Sequence, residues 1–585
     1  MYTPFGELPD RFLSSGMSID EADEYLRARS SRRSFLRGAA LLGGAAVVGP
    51  TLWQQPGWSQ AAPPGSPRLA FGNDPTTTMN VSWSTPAPVA NPRLSYGIAS
   101  SAGTTVAADT RTVGGLKPVA TNYHHVRLTG LAPGTTYRYR VAHDGASVDG
   151  LSFTTARRGD HPFTFTAFGD QGITTAAADN TALIAGIDPA FNLVAGDVAY
   201  ADGIGTGLVV DLVQFDPTRW DDWFAETAVA QRRSPWMPAM GNHDMEPGMG
   251  LHGYGGHYAR LALPTNGFNE VVYAFRYGNV GVVAADANDI SEEIPSAQLY
   301  TNGRQTPWID ATLAAFRADP TIDFLVVYFH HCAYCTMTSH GSDGGVRSKW
   351  VPLFDRHHVD LVINGHNHGY ERTHPVRANA PTAEAPVGAT VRSDQLGTTY
   401  ICAGGGGRAP DDFGSQAFIS HGPVAYQLKA DAELEPSAWS SVRRPINSFI
   451  RADVRPPDAD GLATMAITTI SSKGTTIDQV TLRRARVRNA AATSTVGGAQ
   501  PATGAVEAAD LNRAASRHPA SGHPAASGTG RTSGGTLAAT GGHLDRLAPI
   551  GGLAGTLAAG GVAGLTALRR RAAALEADSP SDVPR

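Results

Sequence analysis

The sequence predicts two folded parts in tandem, an all-β sandwich followed by a larger α/β domain, and three observations carry this. From about Pro67 to Thr155 apolar and polar residues alternate in runs bounded by turn residues, as in Met79-Asn80-Val81-Ser82-Trp83-Ser84 and Tyr137-Arg138-Tyr139-Arg140-Val141. From Asp160 to about Arg484 the pattern changes to short, continuous apolar runs separated by helical stretches, the reading of strands covered on both faces of their sheet. Those runs end, again and again, in Asp, Asn, His or Tyr.

A chain of 585 residues can bury a large core and hold several folding units. Lys plus Arg number 47 against 52 Asp plus Glu, a net charge of −5, which gives no electrostatic footprint for a nucleic-acid partner. Three cysteines, Cys332, Cys335 and Cys402, cannot supply a disulfide framework, so packing must hold the fold.

Taken in order, residues 1–61 carry Ser31-Arg32-Arg33-Ser34-Phe35-Leu36-Arg37-Gly38, the charge-free Ala39 to Val48, and the small-x-small Ser59-Gln60-Ala61. This resembles a twin-arginine export signal, with the mature chain beginning near Ala62. The resemblance implies the twin-arginine translocase as a partner, a route that carries folded proteins with cofactors loaded. Residues 62–157 form the predicted sandwich. Within it, Leu131-Ala132-Pro133-Gly134-Thr135-Thr136-Tyr137 resembles the tyrosine corner of fibronectin type III domains, which implies a structural role. His124 and His125 are adjacent on a strand and face opposite sides of the sheet, a poor arrangement for gripping one ion.

Residues 158–484 form the α/β domain. Phe163 to Phe168 ends in Gly169-Asp170, Phe191 to Ala195 in Gly196-Asp197-Val198-Ala199-Tyr200-Ala201-Asp202, and Trp236 to Met240 in Gly241-Asn242-His243-Asp244. Phe324 to Phe329 ends in His330-His331, and Leu361 to Asn364 in Gly365-His366-Asn367-His368-Gly369-Tyr370-Glu371-Arg372. Ligands of open α/β sheets gather beyond the carboxyl ends of strands, so five such ends point to one site. Singly each is a common turn; five in a fixed order are not.

This motif set resembles that of the metallophosphoesterases, specifically the purple acid phosphatases, over most of residues 70–480. The resemblance implies a four-layer αββα catalytic domain preceded by the fibronectin type III-like domain of the plant-type branch. It makes Asp170, Tyr200 and His368 ligands of one metal, Asn242, His330 and His366 ligands of a second, and Asp197 the bridge. Two carboxylates and a phenolate suit Fe(III), while two imidazoles and an amide oxygen suit Fe(II), Zn(II) or Mn(II). Three anionic side chains against a formal +5 leave about two positive charges for hydroxide and an anionic substrate. The implied activity is hydrolysis of phosphate monoesters by a metal-bound hydroxide at acidic pH. By the same resemblance His243 faces the substrate phosphate and His340 protonates the leaving group. Two rival functions share these residues: a phosphodiesterase or nucleotide pyrophosphatase on the same dimetal core, and a non-catalytic, wall-displayed adhesin.

The chain departs from the plant-type pattern at His330-His331-Cys332-Ala333-Tyr334-Cys335, where either histidine could ligate; register with Tyr334 selects His330. Cys332-x-x-Cys335 reads as a small disulfide, an extra ion site or two packed thiols. Gly404 to Gly407 lacks the Gly-Lys-Ser/Thr and following helix of a phosphate loop and reads as a tight turn after the strand Thr399 to Ala403.

Residues 485–536 are rich in Ala, Gly and Ser, with too little apolar area to offset the entropy of ordering, and read as a disordered spacer. In residues 537–585, Leu537-Ala538-Ala539-Thr540-Gly541 precedes a charge-free run over 547–568 and then Arg569-Arg570-Arg571. This resembles a sortase sorting signal, implying sortase and the cell wall as partners, with a plain membrane anchor as the alternative. Either places the folded part outside the cell.

Overall fold

The computed structural model describes residues 62–486, apart from 101–102, 115–116, 203–204, 206–213, 250–251, 269 and 423–431, together with a short antiparallel pair, Tyr2–Thr3 with Gly6–Glu7. The twin-arginine motif, the spacer beyond Arg486 and the sorting segment lie outside the described residues. Among the described residues no helix is long and apolar enough to cross a membrane.

The first part is the expected all-β sandwich. Its strands are β1 (Gly65–Ala70), β2 (Met79–Thr85), β3 (Arg93–Gly97), β4 (Thr104–Ala107), β5 (Asp109–Thr112), β6 (Asn122–Leu128), β7 (Thr136–His143) and β8 (Ala146–Thr154). They form two four-stranded sheets, ordered β1-β2-β6-β5 and β8-β7-β3-β4. Period-two alternation sends Met79, Val81 and Trp83 into the sandwich core with Leu94, Tyr139, Val141 and Phe153. The Tyr137 hydroxyl accepts the Ala132 N–H at 2.8 Å, which fixes the corner the sequence marks out.

The opposite face of β2 and β6 is polar yet buried, because it docks on the α/β domain. Asn80 Nδ2 donates to Ala262 O (2.8 Å) and an Arg68 guanidinium N–H to Arg260 O (2.7 Å), while His125 Nε2 meets Ala259 O (3.0 Å). His124 lies on the other face, against Trp83 and between the hydroxyls of Thr85 and Thr110. Burial pushes His124 down to about 4 and His125 well below the usual histidine range, so both are neutral packing residues.

The α/β domain begins with β9 (Phe163–Phe168), α1 (Thr175–Ile187), β10 (Phe191–Val194), α2 (Arg219–Gln231), β11 (Trp236–Pro238) and α3 (Gly255–Arg260). It continues through β12 (Tyr273–Tyr277), β13 (Val280–Ala284), α4 (Gln305–Ala318), β14 (Phe324–Tyr328), α5 (Gly344–Lys349), α6 (Val351–Arg356), β15 (Leu361–Asn364) and β16 (Tyr370–Thr373). It closes with β17 (Ala389–Arg392), β18 (Thr399–Cys402), β19 (Ser440–Arg444), β20 (Ser448–Arg455), β21 (Leu462–Ser471) and β22 (Thr476–Ala485). Two seven-stranded mixed sheets result, ordered β11-β10-β9-β20-β21-β22-β17 and β12-β13-β14-β15-β18-β16-β19.

Strand β13 is buried at every position because alternate residues serve different layers. Val280, Val282 and Ala284 face the first sheet, as do Phe324, Val326 and Tyr328 of β14, whereas Val283, Leu325 and Val327 face Ile309 and Leu313 of α4 and Val351 and Phe354 of α6. Helices α1 and α2 cover the other sheet through Ile184 and Trp223, the latter edge-on to Trp236 of β11. The four layers are therefore αββα, and the continuous apolar runs follow from two-sided burial. Between the sheets, the hydroxyls of Tyr273 and Tyr328 lie 2.9 Å apart and within reach of Pro238 O and Met237 O, so their two protons are shared among these oxygens and satisfy polar atoms that would otherwise be costly there.

Where the sandwich meets the α/β domain, Arg260 is bonded to Glu246 at 2.6 Å with both side chains buried. Glu246→Ala strands a buried guanidinium and is expected to cost about 3–5 kcal/mol in chemical denaturation. Breaking the exposed Lys473–Asp179 pair is expected to cost under about 1 kcal/mol in the same assay.

Candidate metal centre

The five predicted strand ends do converge, three from the first sheet (β9, β10, β11) and two from the second (β14, β15). Each turns sharply as it leaves its strand. Asp170, Asp197, Tyr200 and His366 all hold positive φ, at 59°, 53°, 50° and 73°, a conformation that non-glycine residues adopt at a cost and that clusters at functional sites.

Asp170, Asp197 and His330 bring side-chain donor atoms within 4.8 Å of one another, all fully buried. Tyr200 Oη donates to Asp170 Oδ1 (2.9 Å) and lies 3.1 Å from His368 Nε2. On the other side His330 Nε2 lies 3.0 Å from Asn242 Oδ1, 3.1 Å from Asp197 Oδ2 and 3.2 Å from His366 Nδ1. The His330 Nδ1 is engaged by Ala195 O at 2.8 Å. A ring that gives its proton to Ala195 turns a lone pair toward a carboxylate, an amide oxygen and a second imidazole, and a cation satisfies all of them. Burial disfavours a charged His330, yet the Asp197 and Asp170 carboxylates push it up to about 10, so the protein atoms by themselves draw positive charge into the site. The residues present thus fit two ions, a hard Asp170–Tyr200–His368 set and a softer Asn242–His330–His366 set with Asp197 against His330 between them.

The two remaining predicted residues flank this cluster. His243 Nδ1 is 2.8 Å from Asp202 Oδ1, and His340 Nδ1 is 2.5 Å from Glu293 Oε1. The rings of His340 and His366 lie 4.0 Å apart. Burial lowers both His243 and His340, but the adjacent carboxylates more than reverse it and hold each above the usual histidine range.

Sequence reasoning missed the residues that brace these groups. Asp244 accepts the N–H groups of Asp197 and Gly241 at 2.9 Å and of Val198 at 3.0 Å, and so fixes the Asp197 turn. Asp411 accepts the His368 N–H at 2.8 Å, and the Arg408 guanidinium lies 4.3 Å from the Tyr200 ring centroid. Glu293 also reaches His366 Nε2 at 3.4 Å. Asp244 and Asp202 stand inside the strand-end motifs, where a signal existed; Glu293, Arg408 and Asp411 sit in loops with no local pattern.

His331 is not among the grouped donors: its ring packs on those of His330 and His366, and neither nitrogen meets a hydrogen-bond partner. The Gly404–Gly407 turn is a packing seam. A Cβ at Gly404 would come 2.1 Å from Asn367 O, and one at Gly406 2.2 Å from Gly169 O, so only glycine lets this turn press on both metal-bearing loops. Cys332 and Cys335 are free thiols, joined in space by Cys402.

Comparison with known proteins is consistent with this geometry. Residues 64–155 match the family model of the purple acid phosphatase N-terminal domain, and residues 163–370 that of the calcineurin-like phosphoesterases. An uncharacterized protein of Mycobacterium tuberculosis is 33% identical over 530 residues, spanning 80% of this chain and 98% of its own. Purple acid phosphatase 23 of Arabidopsis thaliana is 26% identical over 306 residues, 48% of this chain and 62% of the plant protein. Among solved structures, purple acid phosphatase PPD1 of yellow lupin seeds superposes with a TM-score of 0.58 at 20% identity, over 72% of this chain and 75% of the lupin one.

Because Asp244 holds the Asp197 turn by two backbone bonds and ties it to Gly241 by a third, Asp244→Ala is expected to weaken metal retention about 10–100-fold, read by elemental analysis after dialysis against graded chelator.

Proposed function

Since the chain belongs to the calcineurin-like phosphoesterase family and carries the purple acid phosphatase N-terminal domain, we propose that it is an exported acid phosphatase acting on phosphate monoesters. The reading assigns Fe(III) to Asp170, Tyr200 and His368, and Fe(II), Zn(II) or Mn(II) to Asn242, His330 and His366, with Asp197 shared. The observation that carries it is the split of the donors into a hard and a softer set around one carboxylate. Such a pair of ions supplies Lewis acidity for the phosphate oxygens and acidifies a coordinated water.

The rest of the chemistry falls to side chains. His243, bonded through Nδ1 to Asp202, keeps Nε2–H free to donate to a phosphate oxygen. His340, bonded through Nδ1 to Glu293, is set to release a proton from Nε2 to the departing alkoxide. Its raised pKa keeps it protonated to higher pH than an ordinary histidine. Proton donation is therefore full in acid and fades as pH rises through that raised value. Export and surface retention rest on the Arg32-Arg33 motif and on the Leu537 to Gly541 pentapeptide with its apolar run and basic stop.

Turnover of simple phosphate monoesters and diesters across roughly pH 4 to 9 tests the reading. Monoester hydrolysis favoured in acid and abolished in Asp197→Ala supports it; diester preference near neutrality, or no turnover by metal-loaded protein, overturns it. His243→Ala is expected to lower kcat about 10²–10⁴-fold with metal content unchanged. His340→Ala should slow esters of poor leaving groups by a similar factor and leave activated aryl esters nearly unaffected. If Tyr200 binds Fe(III) as a phenolate, Tyr200→Phe removes the protein's visible absorption band.

A further inference from the structure

Behind the turn that carries His366 and His368 lies a second cluster of potential ligands that the phosphatase reading does not use. Cys332 and Cys335 follow β14, Cys402 ends β18, and β15 runs between those two strands. All three thiols are buried, with Sγ atoms within 4.8 Å of one another. We propose that Cys332, Cys335 and Cys402 form a site for a soft monovalent cation, Cu(I), bound by sulfur alone.

Several features of the cluster favour bound thiolates over chance packing. The Met337 N–H points at Cys335 Sγ (3.5 Å) and the Gly404 N–H at Cys402 Sγ, so in each case the amide two residues on faces the sulfur. Backbone N–H groups aimed at sulfur offset thiolate charge in a site water cannot enter. Met337 and Phe413 close the remaining wall with apolar, polarizable surface.

The choice of ion follows from the donor set. Among the described residues no His, Asp or Glu joins the three sulfurs, and none of the cysteines is exposed, so the imidazole or carboxylate that would complete a tetrahedral site is missing. Zn(II) asks for four ligands, whereas three sulfurs suit Cu(I), which is soft. Metal–sulfur bonds of about 2.3 Å in a trigonal plane place sulfurs roughly 4 Å apart, a spacing compatible with a cluster whose sulfurs all lie within 4.8 Å of one another. Each S–Cu bond replaces an S–H bond and releases one proton, and copper stays Cu(I) throughout, so no electron acceptor is needed. Because the thiols are buried, loading accompanies folding.

Cys332 Sγ donates to Gly365 O (3.0 Å) and Cys402 Sγ to Asn367 O (3.2 Å), the carbonyls on either side of His366. Metal binding removes those S–H donors, so its influence falls first on the His366 turn.

The test uses the full chain expressed with copper supplementation and purified without oxygen. One copper per chain is expected, with X-ray absorption showing about three sulfur neighbours at about 2.3 Å and no nitrogen or oxygen shell. Cys335→Ser and Cys402→Ser should each lower copper affinity by more than the roughly 10–100-fold that an outer partner costs, measured by competition with a Cu(I) chelator. His366→Ala should retain the copper, which separates this site from the histidine cluster and leaves the outcome independent of phosphatase activity. Copper with nitrogen neighbours, copper retained in Cys402→Ser, or a wild-type protein that is copper-free with three titratable thiols or a Cys332–Cys335 disulfide would each overturn the proposal. The wild-type spectrum decides the matter even if a serine variant fails to fold.

Discussion

Two carboxylates, Asp170 and Asp197, lie buried side by side, and the fold around them is organised to offset their charge. Two isolated anions at this depth would be prohibitive. Backbone N–H groups meet the need in part: His366 N–H donates to Asp170 Oδ2 and His243 N–H to Asp197 Oδ1, both at 2.8 Å. The His330 ring supplies positive potential, and the fit of metal ions to the surrounding donors follows from the same demand. The left-handed turns at Asp197 and His366 become intelligible in this light, since each aims a ligand inward while its own amide points at a carboxylate, that of Asp197 at Asp244 and that of His366 at Asp170.

That demand also explains why two sheets are needed. A single sheet presents its strand ends in a row, which lets ligands approach from one side only. Here the ends of β9, β10 and β11 face those of β14 and β15, so the donors close around the site from two directions and bury it. The glycine seam after β18 then wedges against both groups of loops and holds them in register.

Much of this was legible in the sequence because strand ends announce themselves locally. A short apolar run followed by Gly-Asp or Gly-Asn-His-Asp states both the element and the side chain at its tip, so the α/β domain, the sandwich and the convergence of strand ends could all be read off. The bracing residues could not. Glu293 reaches His340 across 47 positions of chain and Asp411 reaches His368 across 43, and long-range pairs leave no trace in a neighbouring pattern. Cys402 was likewise invisible as a partner of Cys332 and Cys335, since only the placement of β15 between β14 and β18 brings them together. The polar face of β2 and β6 misleads in another way: alternation there suggests solvent, and the structure shows a dock whose carbonyl acceptors come from residues 259–263.

That dock has a bearing on how the N-terminal sandwich works within the chain. A bead on a flexible string swivels and offers any of its surfaces to a visitor. This one is fastened by Arg68, Asn80, His125 and Arg127, by Tyr123 bonded to Asp221 of α2, and by Phe71 among the rings of Phe191 and Phe275. It behaves as a buttress. Cutting it away would leave a raw, mixed polar and aromatic scar on the hydrolytic half, so the two halves should melt in one step, and shuffling the sandwich onto another protein would carry only its outer sheet as usable surface.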